Sequence, residues 1–231
     1  MQQTIRIDKY LAQLNLVPRR EAKKFFRSGR VMLNYVEYDH GFQVIDGDVI
    51  TIEVDSETSS EHNYIEFEVK QNVTILLHKP AGYVCSEIDE HMSYKHFLKN
   101  CIYAPLLKVA GRLDQDTTGL VLATSDGTFN HQIISPRISK EKEYIVTCEK
   151  EISDTDLAQL EQGVMLEDGY QTLSAKTVRI DDFSFSLIIT EKYHQIKRMC
   201  ESIDHPLIKL HRTRIDQWTL EGLQEGCRRF I

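Results

Sequence analysis

The stretch DSETSSEHN, positions 55–63, contains no apolar side chain, and the hydrophobic pattern follows different periods on its two sides. On the amino-terminal side, RIDKYLAQLN sets Ile7, Tyr10, Leu11 and Leu14 at i, i+3, i+4 and i+7, one face of a helix. Pro18 stands where a second helix can begin, and Gly29 closes REAKKFFRSG with a C-cap signal. A short strand, VML, follows, and FQVIDGDVITIEV reads as strand, turn and strand around Asp46-Gly47. On the carboxyl-terminal side the pattern is β-rich. Candidate strands are YIEFEV, VTILLHK, GLVLAT, EYIVTC, SAKTVRI, FSFSLIIT and PLIKLHRTRI. Candidate helices are SYKHFLKN, GTFNHQIIS, SDTDLAQLEQG and HQIKRMCESI. The two kinds of element are mixed without strict alternation, and no internal repeat is present. The expectation is an α+β chain: a small helix–helix–strand module over residues 1–58, a linker at 59–63, and a mostly antiparallel sheet with packed helices over residues 64–231.

Charge is distributed as unevenly as hydrophobicity. The chain of 231 residues carries a formal net charge of −7, which by itself argues against a nucleic-acid partner. Yet residues 1–30 hold Arg6, Lys9, Arg19, Arg20, Lys23, Lys24, Arg27 and Arg30 against Asp8 and Glu21, a local balance of +6. Residues 31–72 have a balance of −9 and residues 192–214 one of +4. Salt screens charges beyond roughly 8 Å, so a partner meets these patches rather than the total. No apolar run approaches the length of a membrane span, and the first residues do not read as a secretion signal. Five cysteines without a C-x-x-C pair suggest free thiols in a reducing cytoplasm and argue against a structural zinc site.

The segment GRLDQDTTGLVLAT, residues 111–124, sets Asp114 and Asp116 two apart just before a strand-like run. D-x-D-x-T-G opens like an EF-hand loop, but the twelfth position, which must be a bidentate Glu, is Ser125. A plain turn is the other reading: Asp and Thr side chains capping backbone N–H groups, with Gly119 supplying an unusual φ. That accounts for Asp116, Thr117 and Thr118, but less well for Arg112 and Asp114 flanking Leu113 on one side of an extended chain.

Five segments in order supply a further reading. GRLDQDTTGLVLATSDG resembles the central motif of the pseudouridine synthases, in particular the RsuA branch. LLHKPAGYVCS (76–86) resembles that branch's first motif, EKEYIV (141–146) its tyrosine motif, KYHQIKRM (192–199) its basic motif and LIKLHRTRI its closing strand. RIDKYLAQ…RREAKKFFRSGRVMLN resembles the S4 RNA-binding module that precedes the catalytic domain in this branch. The likeness covers nearly the whole chain. It departs at Glu191-Lys192, where a Gly usually precedes the basic residue, at Ile215-Asp216-Gln217, which replaces an Ile-Gly-Gly type of turn, and at Pro18, where S4 modules often carry Ser.

The resemblance implies an RNA pseudouridine synthase, an isomerase that detaches uracil from ribose at N1 and rejoins it through C5, with no metal or other cofactor. Asp114 is then the essential carboxylate, acting on base or sugar as nucleophile or as base. Lys197 supplies the cation beside it; on residues alone Lys197 is a solvated edge of a helix whose apolar face is Ile196, Met199, Cys200 and Ile203. Tyr144 matches the tyrosine that stacks on the flipped base; on residues alone a core tyrosine is as good an account. Arg112, His194, Gln195 and Arg198 become candidate phosphate and base contacts, and Arg19, Arg20, Lys23, Lys24, Arg27 and Arg30 those of the S4 module. YHQIKRM is closer to the small-subunit rRNA enzymes than to their large-subunit relatives. The implied substrate is a uridine of small-subunit (16S) rRNA in a ribosome assembly intermediate, met by a cytoplasmic monomer without membrane contact. Two alternatives stand beside it: a large-subunit rRNA synthase of the same branch, and an S4 protein that binds RNA without catalysis.

Overall fold

The computed structural model describes residues 3–54, 63–86, 92–135, 138, 140–190 and 195–231. The helical periodicity of the first segment becomes the helix Ile7–Gln13, and Ile7, Tyr10, Leu11 and Leu14 are all buried. Tyr10 Oη donates to the Lys70 carbonyl at 3.0 Å, and burial pushes the phenol pKa up to about 12. The second helix, Ala22–Arg27, buries Ala22 and Phe26 and stops before Gly29 at φ +72°, the conformation a C-cap glycine adopts without steric cost. Ile5–Arg6 pairs with Gln43–Val44. A four-stranded antiparallel sheet runs in the order Val36–Glu37, Val31–Leu33, Val49–Val54, Asn63–Glu68.

Asn63–Glu68 corrects the sequence-based boundary. The polar stretch before it read as a linker, which would assign this strand to the second domain. Residues 55–62, most of that stretch, lie outside the described residues. Asn63 already belongs to a strand whose Ile65 and Phe67 pair with Ile52 and Ile50 across the first sheet. The chain divides into one compact unit of residues 1–73 with 99–107, and another of residues 74–98 with 108–231. Tyr103, in the returning segment of the first unit, donates its hydroxyl to the Glu68 carbonyl at 2.7 Å.

The second unit is built on one sheet in the order Lys176–Arg179, Ser184–Ile189, Lys142–Cys148, Leu207–Ile215, Thr118–Thr124, Thr74–Lys79, Arg228–Phe230. Lys108–Ala110 pairs along Thr118–Thr124, and Trp218–Thr219 pairs with the end of Leu207–Ile215. All neighbours are antiparallel except Leu207–Ile215 and Thr118–Thr124, which run parallel through His211 with Thr118 and Arg212 with Gly119. Thr118–Thr124 is buried along its whole length, as befits an interior strand of the sheet. Leu76, Ala110, Leu120, Leu122 and Ile215 form a cluster with Ile133 of the helix Gly127–Ile134, flanked by Phe129 and Trp218. Asp126 caps that helix by accepting from the N–H groups of Thr128 and Phe129. Asp154–Gln162 opens with a reciprocal Ser153–Asp156 capping box, the device encoded by its SDTD start. SYKHFLKN, expected to be a helix, contributes only the 3-10 turn Tyr94–Leu98. At the altered 215–217 turn, Asp216 takes φ +50°, where glycine would be easier, and Lys140 pairs with its carboxylate at 2.6 Å. Among the described residues, no helix is long and apolar enough to cross a membrane.

Candidate active site

Asp114 lies in the loop between Lys108–Ala110 and Thr118–Thr124, and buried groups from two other strands fix that loop. Lys79, at the end of Thr74–Lys79, is fully buried. Its ammonium donates to the carbonyls of Thr117 at 2.7 Å, Pro80 at 2.9 Å and Gln115 at 3.3 Å. Burial lowers the pKa of Lys79, opposed by the nearby Cys85, Asp116 and Asp114. The rest of the KPAGYVC segment holds the same loop: Gly82 N–H donates to the Gln115 carbonyl, Gln115 Nε2 returns a bond to the Gly82 carbonyl, and Leu113 N–H meets Cys85 Sγ.

Arg212 holds the loop from Leu207–Ile215. It too is fully buried, and its guanidinium donates to Gly111 O at 2.7 Å, Leu120 O at 2.7 Å, Arg112 O at 3.4 Å and Tyr144 Oη at 3.3 Å. A buried cation is tolerable only when its donors are satisfied, and here they are met by carbonyls on both sides of Asp114. Gly119 permits the approach. With φ +115°, a Cβ there would lie 2.2 Å from the Arg212 carbonyl oxygen and 2.6 Å from its nitrogen, so any side chain would force the parallel strands apart.

On this clamped loop Asp114 and Asp116 share one lysine. Lys197 Nζ is 3.2 Å from Asp114 Oδ2, and 2.7 and 2.8 Å from the two oxygens of Asp116. Lys197 projects from the helix Gln195–Ser202, which anchors itself through buried Ile196, Met199 and Cys200. Burial works against the charged lysine, but hydrogen bonds to Asp116 and Asp114 outweigh it and raise the pKa of Lys197. The same bond from Lys197 lowers the pKa of Asp116. Among the described residues, no cluster of three or more His, Cys, Asp or Glu is placed to hold a metal ion.

The other residues singled out in the sequence are placed less uniformly. Tyr144 is 1% exposed, its hydroxyl accepting from Arg212 and its ring centroid 5.9 Å from that guanidinium. Arg112 is exposed beside Asp114. Gln195 is buried and donates to Met199 Sδ; four residues before Met199, it shares the helix face that packs inward. Arg198 pairs with Asp168 at 2.5 Å. His194 lies outside the described residues. In the first unit Lys23, Lys24 and Arg27 are exposed on one helix. Arg19 pairs with the buried Asp8 at 3.2 Å, and Arg20 with its neighbour Glu21 at 3.3 Å. Arg30 stacks 4.9 Å from the centroid of Phe25 and donates to the Glu53 carbonyl. Lys79, Arg212 and the Asp116–Lys197 pair were not singled out from sequence. Arg212 carried a signal nonetheless: in LIKLHRTRI it alternates in phase with Leu210, so one strand face buries both.

Residues 73–202 match the RNA pseudouridylate synthase family, a span that includes Asp114, Tyr144 and Lys197, and residues 5–50 match the S4 domain. The chain belongs to the RNA pseudouridylate synthase family. It is 35% identical to the ribosomal small subunit pseudouridine synthase A of Salmonella typhimurium, over 96% of this chain and 94% of that one. The protein of the same name from Yersinia pestis is 36% identical, over 94% and 90%. A crystal structure of a pseudouridylate synthase superimposes with a TM-score of 0.66 at 33% identity, over 98% of this chain and 96% of that one.

Proposed function

We propose that this protein converts a specific uridine of small-subunit rRNA to pseudouridine, with Asp114 as its essential carboxylate. The observation that carries the site assignment is the Lys197 ammonium 3.2 Å from Asp114, on a loop whose carbonyls are held by two fully buried cations. A carboxylate that must attack or deprotonate a nucleotide needs a fixed position and a charge partner, and this arrangement supplies both. Tyr144, opposite Arg212 in the sheet, is assigned to the base drawn out of its stack; its ring is covered in this structure and is uncovered when the base enters. Arg112 and Arg198 are the RNA contacts of this unit; Arg198 exchanges Asp168 for a phosphate when RNA arrives. The exposed Lys23, Lys24 and Arg27, joined by Arg19, Arg20 and Arg30, form the basic face of the S4 domain.

The choice of rRNA subunit rests on the names of the relatives, which match nearly full length, and these favour the small over the large subunit. A cytoplasmic enzyme acting as a monomer on a ribosome assembly intermediate, without a cofactor, completes the reading. Chemical pseudouridine mapping of ribosomal RNA, with and without the gene, tests it. The expected result is one site lost from 16S rRNA and restored by the normal gene but not by Asp114→Asn. Loss confined to large-subunit rRNA would overturn the substrate.

A further inference from the structure

Asp116 was the residue that a turn could account for, yet its carboxylate takes the greater share of Lys197. Both of its oxygens lie within 2.8 Å of the ammonium, whereas Asp114 Oδ2 stands 3.2 Å away. The turn itself is closed by backbone, Thr117 N–H donating to the Asp114 carbonyl at 3.2 Å, and by the bonds of Lys79 to Gln115 and Thr117. Thr117 Oγ1 donates to Asp116 Oδ1 at 3.3 Å and orients the carboxylate toward the lysine. The Asp116 side chain is 72% exposed and that of Asp114 30%, so Asp116 stands on the water side of the ammonium and Asp114 on the inner side.

We propose that Asp116 is a positioning residue for the isomerisation: it anchors Lys197 so that the ammonium stays beside Asp114 while Asp114 engages the uridine. The proposal rests on the assignment of Asp114 above and deepens it. Lysine has a flexible four-carbon stem and three N–H donors. With one partner only, Lys197 would have to follow Asp114 or swing into solvent when the carboxylate turned to its substrate. Held by both oxygens of Asp116, it can release Asp114 and remain in place. The spacing of the two carboxylates serves this directly, since one loop presents both to the same side of one helix.

The test is a double-mutant cycle in the full chain, read by single-turnover tritium release from 5-labelled uridine in RNA. Asp116→Ala should lower the rate at saturating RNA by roughly 10- to 100-fold, the scale of a misplaced catalytic group, with KM little changed. In a Lys197→Met background the same substitution should cost nothing further, because the residue it positions is gone. Asp116→Glu, which keeps two oxygens on a longer stem, should recover most of the rate. A normal rate in Asp116→Ala, or an equal loss with and without Lys197, overturns the proposal. Asp114→Asn is run beside them. If it is inactive while Asp116→Ala is normal, only the role of Asp116 falls; if it turns over, the site assignment falls and the proposal with it.

Discussion

In the unit of residues 1–73 and 99–107, Lys23, Lys24 and Arg27 extend into solvent from one short helix, and Arg19 and Arg20, themselves exposed, pair with Asp8 and Glu21. In the unit of residues 74–98 and 108–231, Lys79 and Arg212 are wholly buried, and the bonds described for them are almost all to main-chain carbonyls of one loop and its flanks. Lys197 stands between these extremes, part-exposed and shared by two aspartates. The difference teaches that the charge of a stretch says little about its task. Exposed cations are available to phosphates, with an energy that salt screens. Buried ones are committed to architecture, where removing the cation strands several carbonyls at once.

The largest effect should come from the buried cations. Arg212→Met would leave the carbonyls of Gly111 and Leu120 without their partner, at about 1–3 kcal/mol for each buried group left unsatisfied. We expect a clear fall in Tm together with loss of activity, and only partial recovery in Arg212→Lys, whose ammonium cannot span the same fork of acceptors. A normal Tm would break the contrast between the units. Lys197→Met should follow, lowering the single-turnover rate about 10²–10³-fold with little change in Tm, as expected for loss of one preorganised electrostatic partner. Lys209→Met, an exposed position on the closing strand, serves as its control and should be near normal. The smallest effect on chemistry should come from Lys23→Gln, Lys24→Gln and Arg27→Gln together. Binding should weaken, and the slope of log K against log salt should shrink by about 2–3, at 0.7–0.9 per phosphate contact. The rate at saturating RNA should stay near normal. An unchanged slope would make these residues an ordinary solvated face.

Much of this was legible in the chain. Ile7, Tyr10, Leu11 and Leu14 marked a buried helix face by spacing alone, and the strands of the second unit fall on the β-rich segments. The motif order brought out Asp114 and Lys197, separated by 83 positions in sequence and by 3.2 Å in space. What escaped depends on long-range pairing. Asn63–Glu68 follows a polar stretch that reads as a linker, and only its register with Val49–Val54 assigns it to the first unit. Lys79 and Arg212 are cations on strands, a residue type ordinarily placed in solvent, and their acceptors are carbonyls that no side-chain pattern encodes. Gln195 misled in the opposite sense: a polar residue in a basic motif, it is carried inward by the helix period.

All of this converges on one carboxylate. Asp114→Asn changes a single terminal atom group while leaving the loop, its clamps and the basic faces intact. Tritium release from 5-labelled uridine in RNA, measured over one turnover beside an RNA-binding titration, tests the claim most directly. The account predicts normal binding and no release. Release at a rate near that of the unaltered protein would contradict it and move the chemistry away from Asp114.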